Sequence, residues 1–206
     1  MNAAPTMTTA PTERAQARRQ QVLDAASDAF RRRGFHAASM AEIAKLAGMS
    51  PGHIYNLFEN KDEIIAAIVE RDCEQIVQRI GELQQEADVL QAMLRETEMA
   101  IDEHSQVADA ALELEVLAEA SRNPRLAAVM HAKQALVHDK ALGLIRQTLG
   151  PAAAEVPASE IEGRALLLAA LFNGLTALSV RLPDQARRIP DMAPVMRRLL
   201  QVLMAP

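Results

Sequence analysis

With 206 residues, half of them apolar and a single cysteine among them, the chain is long enough for a small domain plus a larger one and excludes a disulfide-stapled fold. Gly is sparse and aromatic side chains make up 2% of the chain, while Ala, Leu, Met, Gln, Glu and Arg abound, which points to an all-α protein. The net charge of −5 is segregated: residues 1–61 hold eight Lys/Arg against five Asp/Glu and the remainder 14 against 22, so polyanion binding is expected only of a basic head on an acidic body.

Residues 1–11 are rich in Ala, Thr and Pro, without a charged or apolar leader region, and read as a disordered tail. From Thr12 to Arg33, Val22, Leu23, Ala26, Ala29 and Phe30 recur at helical spacing, and Gly34 stands where a helix ends. The triplet Arg31, Arg32 and Arg33 suits the negative end of that helix's dipole or a phosphate equally.

Ser39-Met40-Ala41-Glu42 is an S-x-x-E capping box, so a helix of about two turns starts at Met40 and stops at Gly48. Ser50-Pro51 opens the next helix, expected over 51–58, and Asn60 with Glu63 caps a fourth. That fourth helix carries a stripe of Ile64, Ile65, Ile68, Val69, Ile76 and Ile80. Phe30, Phe35, Ile43, Leu46, Ile54, Leu57 and Phe58 are the expected core of the head.

Further helices are predicted over 87–103, 106–121 and 124–149, the last opened by Asn123-Pro124 and closed by Gly150. After a linker over 150–158, Ser159 is read as the cap of a strongly apolar helix reaching Leu182, and a final helix contains Met196, Leu199, Leu200, Val202 and Leu203. The total is about nine helices, divided into a helix-turn-helix head over 12–60 and a helical body over 61–206. The longest uncharged stretch, Ala165 to Val180, has 16 residues against the roughly 20 of a membrane span, so no membrane partner is expected.

Two short helices joined by a Gly-containing turn can set the second in the major groove, whose width of about 12 Å admits one helix. The same pattern also occurs as plain packing. Gly34-Phe35, Ser39-Met40, Glu42-Ile43-Ala44, Ala47-Gly48, Ser50, Gly52, Tyr55, Phe58 and Lys61-Asp62-Glu63 resemble the N-terminal signature of the TetR family of transcriptional regulators over residues 15–76. Ser50 to Glu63 carries the most specific part of the resemblance.

The resemblance implies DNA contacts from Ser39, Ser50, Gly52, His53, Tyr55, Asn56 and Lys61. Gly52 lets backbone approach DNA closely, and His53 can donate or accept at a base edge. The Tyr55 hydroxyl and the Lys61 ammonium would meet phosphates, although core packing would also explain Tyr55 and capping would also explain Ser39. His53, often Thr or another small residue in the family, and Ala37-Ala38, where a Thr often precedes the Ser, depart from its pattern.

The two C-terminal helices carry more apolar surface than one chain needs, and the resemblance implies a homodimer through Leu167, Leu168, Leu171, Phe172, Leu175, Leu178, Leu199, Leu200 and Leu203. It also implies an effector pocket between residues 87 and 149, here Met93, Leu94, Met99, Glu113, Leu117, Met130 and Val137. That stretch contains no aromatic residue, which suits a small hydrophobic molecule better than a planar dye or a quaternary cation.

His131 and His138 share a helix face seven residues apart, without a metal site being expected, and Cys73 has no His near it in sequence. With no nucleophile motif, metal motif or phosphate loop, neither catalysis nor a cofactor is expected. The implied protein is a cytoplasmic regulator, most simply a repressor released from a double-stranded DNA operator by its effector. The alternative is a helical dimer that binds a ligand or partner without operator binding.

Overall fold

The structure is a computed structural model that describes residues 9–104, 107–182, 184 and 189–205. The regular elements among the described residues are all helical: α1 (Thr9–Arg33), α2 (Met40–Leu46), α3 (Pro51–Tyr55), α4 (Lys61–Leu83), α5 (Val89–His104), α6 (Val107–Ala120), α7 (Pro124–Leu149), α8 (Ala158–Arg181) and α9 (Ala193–Leu203). Two 3-10 turns, Gly150–Ala154 and Ile189–Met192, precede α8 and α9. The expected tail lies outside the described residues up to residue 8, and α1 begins three residues earlier than the spacing predicts.

The chain divides into two compact units, residues 1–68 and 69–206, so the first turns of α4 belong to one and the rest to the other. In the first unit Val22, Ala26, Ala29 and Phe30 of α1, Ile43 of α2, Ile54 of α3 and Ile64, Ile65 and Ile68 of α4 are buried almost completely. Each such aliphatic or aromatic side chain contributes about 1.5–3 kcal/mol on removal from water. Phe35 meets Phe30 edge-on, with centroids 5.3 Å apart. Leu46 departs from expectation: it is 41% exposed, because its helix is only seven residues long and turns Ile43 and Ala44 inward instead.

In the second unit α8 packs against α5, α6 and α7, and α9 against α5. One core cluster joins Met93, Leu144, Ile145, Leu149, Ile161, Ala165 and Met204; a second joins Leu94, Ile101, Leu175, Met196 and Leu200. Ile76 points away from the core and is exposed, whereas Ile80 packs on the first cluster.

Among the described residues α8 is the one helix long and apolar enough to cross a membrane by length and composition. It also carries buried polar groups: Arg164, Thr176 and Ser179. The Arg164 guanidinium is satisfied by Glu160 at 2.6 Å and by the Ala205 carbonyl at 2.8 Å, so a buried charge ties the C-terminal end of the chain to α8. The cap of α8 also differs from expectation. Pro157, extended at ψ 140°, precedes the helix and its carbonyl accepts from Glu160 and Ile161, so Ser159 lies inside the first turn.

Candidate nucleic-acid interface

A helix of five residues is far too short to persist alone, so the geometry of α3 is set by what holds it. Its start is fixed by Ser50, whose hydroxyl accepts from the His53 N–H at 3.3 Å, and by Pro51 in the first turn. The turn before it is a Schellman motif. Gly48, at φ 62°, donates to the Lys45 carbonyl and Met49 to the Ala44 carbonyl, which satisfies the end of α2 and reverses the chain within four residues. Past Tyr55 the Leu57 and Phe58 N–H groups both donate to the Ile54 carbonyl, so helical turns continue towards the expected limit at Phe58.

Ile54 and Phe58, four apart, anchor one face of α3 in the core. The opposite face is open: Ser50, Gly52, Tyr55 and Asn56 are exposed and His53 half-buried. Tyr55 is 54% exposed, which decides against core packing as its whole role. An added methyl at Gly52 would meet nothing within 4 Å.

Long-range contacts from α1 lock the same turn. Gln21 donates to the Ala47 carbonyl at 2.8 Å, Arg19 lies 4.3 Å over the Phe58 ring, and Arg18 Nη1 lies 3.2 Å from His53 Nε2. Composition gives no hint of these pairs, which are 26 to 39 residues apart. Their only sequence signal is the polar face of α1 beside an otherwise bare turn.

The Ser39 hydroxyl accepts from the Glu42 N–H at 3.2 Å, the first half of the capping box. The Glu42 carboxylate meets the Arg33 guanidinium at 2.8 Å, and Arg32 pairs with Asp28 at 2.7 Å, so both of these arginines at the end of α1 have carboxylate partners. At the start of α4, Asn60 accepts from the Glu63 N–H and the Glu63 carboxylate from the Glu59 N–H. Lys61, expected at a phosphate, directs its ammonium to the Phe35 and His36 carbonyls, 2.6 and 3.0 Å away, and sits 4.9 Å over the Phe35 ring. Two of its three donors therefore serve the turn after α1.

In the second unit the residues expected to line a pocket are divided. Met93 and Leu94 are buried in different core clusters, Met99 and Leu117 are exposed, and Met130 and Val137 are half-buried. Glu113 accepts from the Thr176 hydroxyl at 3.0 Å, joining α6 to α8. Phe172 packs on the cluster around Leu94, bringing an aromatic ring from α8 to a region whose own helices have none. His138 Nε2 lies 2.7 Å from Glu162, and no group of three or more metal-capable side chains occurs among the described residues.

The residues expected at a dimer interface divide as well. Leu175 and Leu200 are already buried in the chain's own core, Leu168, Leu171, Phe172, Leu178 and Leu203 are half-buried, and Leu167 and Leu199 are exposed. Val195, which the sequence does not single out, and Val202, expected only as an apolar residue of the last helix, are exposed at 56% and 74%. With Leu199 they form an i, i+4, i+7 stripe on α9, on a different face from the buried Met196 and Leu200.

Residues 22–68 match the model of the bacterial regulatory proteins of the tetR family. The HTH-type transcriptional regulator UidR of Escherichia coli K12 is 35% identical over 119 residues, which is 58% of this chain and 60% of UidR. The solved structure of Salmonella enterica GusR superposes with a TM-score of 0.72 at 29% identity, covering 91% of this chain and 95% of that one. Residues 22–68 carry a tetR-family domain. The chain thus spans about three fifths of the length of UidR in that match.

The likeness in fold extends beyond the head. The regulator FadR of Bacillus subtilis, solved in complex with stearoyl-CoA, covers 88% of this chain at a TM-score of 0.67 and 19% identity. The α2-turn-α3 segment lies wholly inside the residues matched by the family model, as do Gly48, Gly52 and Tyr55.

Proposed function

We propose that this chain is a sequence-specific, DNA-binding transcriptional regulator of the bacterial cytoplasm. It acts as a homodimer whose two α3 helices enter successive major grooves of an operator. The observation that carries the reading is the open polar face of α3, with an exposed Tyr55 and no side chain at Gly52, held rigidly by Ile54, Phe58 and the Gly48 turn.

The chemistry of each residue fits. Ser39 and Ser50 spend an oxygen lone pair on a cap, and a hydroxyl so engaged still has its own O–H to donate to a phosphate. Gly52 permits close approach of the backbone, and His53 and Asn56 offer groups to base edges. Tyr55 supplies a phenol to a phosphate. Lys61 holds the α1–α2 turn in place and has one donor left for the DNA backbone.

A single head reads few base pairs, so operator specificity calls for two heads. Leu166 and Leu167 on α8 with Val195, Leu199 and Val202 on α9 supply an apolar face of the kind that a second copy covers. The second unit is the effector domain, released from its DNA-competent state by a small hydrophobic molecule that binds the other state better. Aliphatic helices with Met93, Met130 and Phe172, and a relative of the same fold that holds a long acyl chain, support that choice.

Titration of the purified protein against the DNA flanking its own coding region, at 50 and 200 mM salt, tests the reading. Specific binding that weakens about 10³-fold or more over that range, as six or more phosphate contacts require, and that drops about tenfold or more in Tyr55→Ala supports it. Absence of any preferred sequence, there or in a random pool, leaves a helical ligand-binding dimer in its place.

A further inference from the structure

The contact between Arg18 and His53 joins an exposed residue of α1 to the helix that faces DNA. A guanidinium has five N–H donors and no acceptor, so at 3.2 Å from Nε2 it can only donate. His53 Nε2 is therefore the acceptor, and in the neutral ring the proton resides on Nδ1. Free imidazole side chains favour the opposite tautomer, with the proton on Nε2. We infer that Arg18 fixes His53 in its Nδ1–H tautomer and thereby bars cytosine from the base that His53 meets.

The step from tautomer to base follows from the groove edges. Guanine offers N7 and O6, adenine N7 and thymine O4, all acceptors, whereas cytosine offers only its amino donor. A ring whose free nitrogen carries the proton meets any of the first three and finds two donors face to face at cytosine. With the proton on Nε2, the same nitrogen becomes an acceptor and cytosine is admitted.

Arg18 is well placed to impose this. Its neighbours Arg19 and Gln21 fix α1 against Phe58 and against the Ala47 carbonyl, so the spacing between α1 and α3 is set independently of the Arg18 contact itself. Arg18 is a positioning residue in this account, acting on the base through His53. The inference rests on α3 being the helix that reads DNA.

Two measurements on the full-length protein test it, after circular dichroism confirms that the variants keep their helicity. In the first, two-bond proton–nitrogen spectra of the histidine rings at pH 8 without DNA read the tautomer, with His53→Gln assigning the signal. The expected result is a protonated Nδ1 in the parent protein, Nε2 protonation in Arg18→Met and return to Nδ1 in Arg18→Lys, whose ammonium also only donates. In the second, selection from a random DNA pool is expected to show one position per half-site where cytosine is disfavoured about tenfold in the parent and in Arg18→Lys, and tolerated in Arg18→Met.

A parent ring protonated on Nε2, or an Arg18→Met variant with unchanged tautomer, overturns the inference. Uniformly weaker binding by Arg18→Met with an unchanged consensus does so too, since Arg18 would then be a phosphate contact. A parent protein that enriches no sequence fails the proposed function and takes base selection with it, and the ring spectra still decide the tautomer by themselves.

Discussion

The ammonium of Lys61, the first residue of α4, lies 2.6 Å from the carbonyl oxygen of Phe35, the residue that follows the end of α1 at Gly34. A charge that the sequence assigns to DNA is thus largely spent inside the head, where it closes a loop across 26 residues.

That relationship separates stability from binding. Lys61→Met removes two charge-assisted hydrogen bonds and the stacking on Phe35, and is expected to destabilise the head by about 1–2 kcal/mol, the lower part of the usual range because the side chain is half exposed to screening solvent. Tyr55→Ala, on an exposed side chain, is expected to leave the denaturation midpoint unchanged while reducing specific DNA affinity about tenfold or more. Urea unfolding of both variants beside DNA titration checks the split. Equal midpoints for the two would contradict it.

Gly48 provides a second stability test. Its φ of 62° lies in the left-handed region, and an added Cβ meets nothing within 4 Å, so Gly48→Ala costs only backbone strain, about 1 kcal/mol. Thermal unfolding would show a lower midpoint.

The dimer is testable on the α9 stripe. Val202→Asp, alone or with Val195→Asp, places charge on side chains exposed in the single chain, so folding is expected to survive while a dimer dissociates to monomer. Leu200→Asp is expected to unfold the second unit instead, because Leu200 is buried beside Leu94 and Met196. Sedimentation velocity and circular dichroism distinguish the two outcomes.

Burial pushes the Cys73 thiol above its ordinary range, Asp72 and Glu74 push the same way, and Lys133 opposes them. Since the thiolate is the nucleophile, alkylation at neutral pH is expected to be slower than for an unstructured cysteine peptide, with its midpoint at higher pH. The raised value also means that this group's contribution to stability is complete below the unfolded thiol's range and is lost as pH rises through the folded one. Urea should abolish the difference in rate.

The helices and their caps were legible because caps are local: Ser39, Ser50, Asn60 and Asn123 each accept from a backbone N–H two or three residues on. Ser159 misled because the extended Pro157 starts the helix before it. What spacing cannot show is which of two apolar faces a helix turns inward. Leu199 and Leu200 are neighbours in sequence, yet one is exposed and the other buried, and tertiary packing alone decides between them. The inter-helix contacts of Arg18, Gln21 and Lys61 were illegible for the same reason.

Gly52→Ala is the sharpest test of α3 as the helix that meets DNA, because the head alone has room for the methyl and a groove closed on the open face of α3 would not. The expected result is a denaturation midpoint at or above that of the parent, Ala being the better helix former by about 1 kcal/mol, together with at least tenfold weaker binding to the parent's selected operator. Unchanged affinity for that operator in a normally folded Gly52→Ala protein would contradict the placement of α3 in the groove.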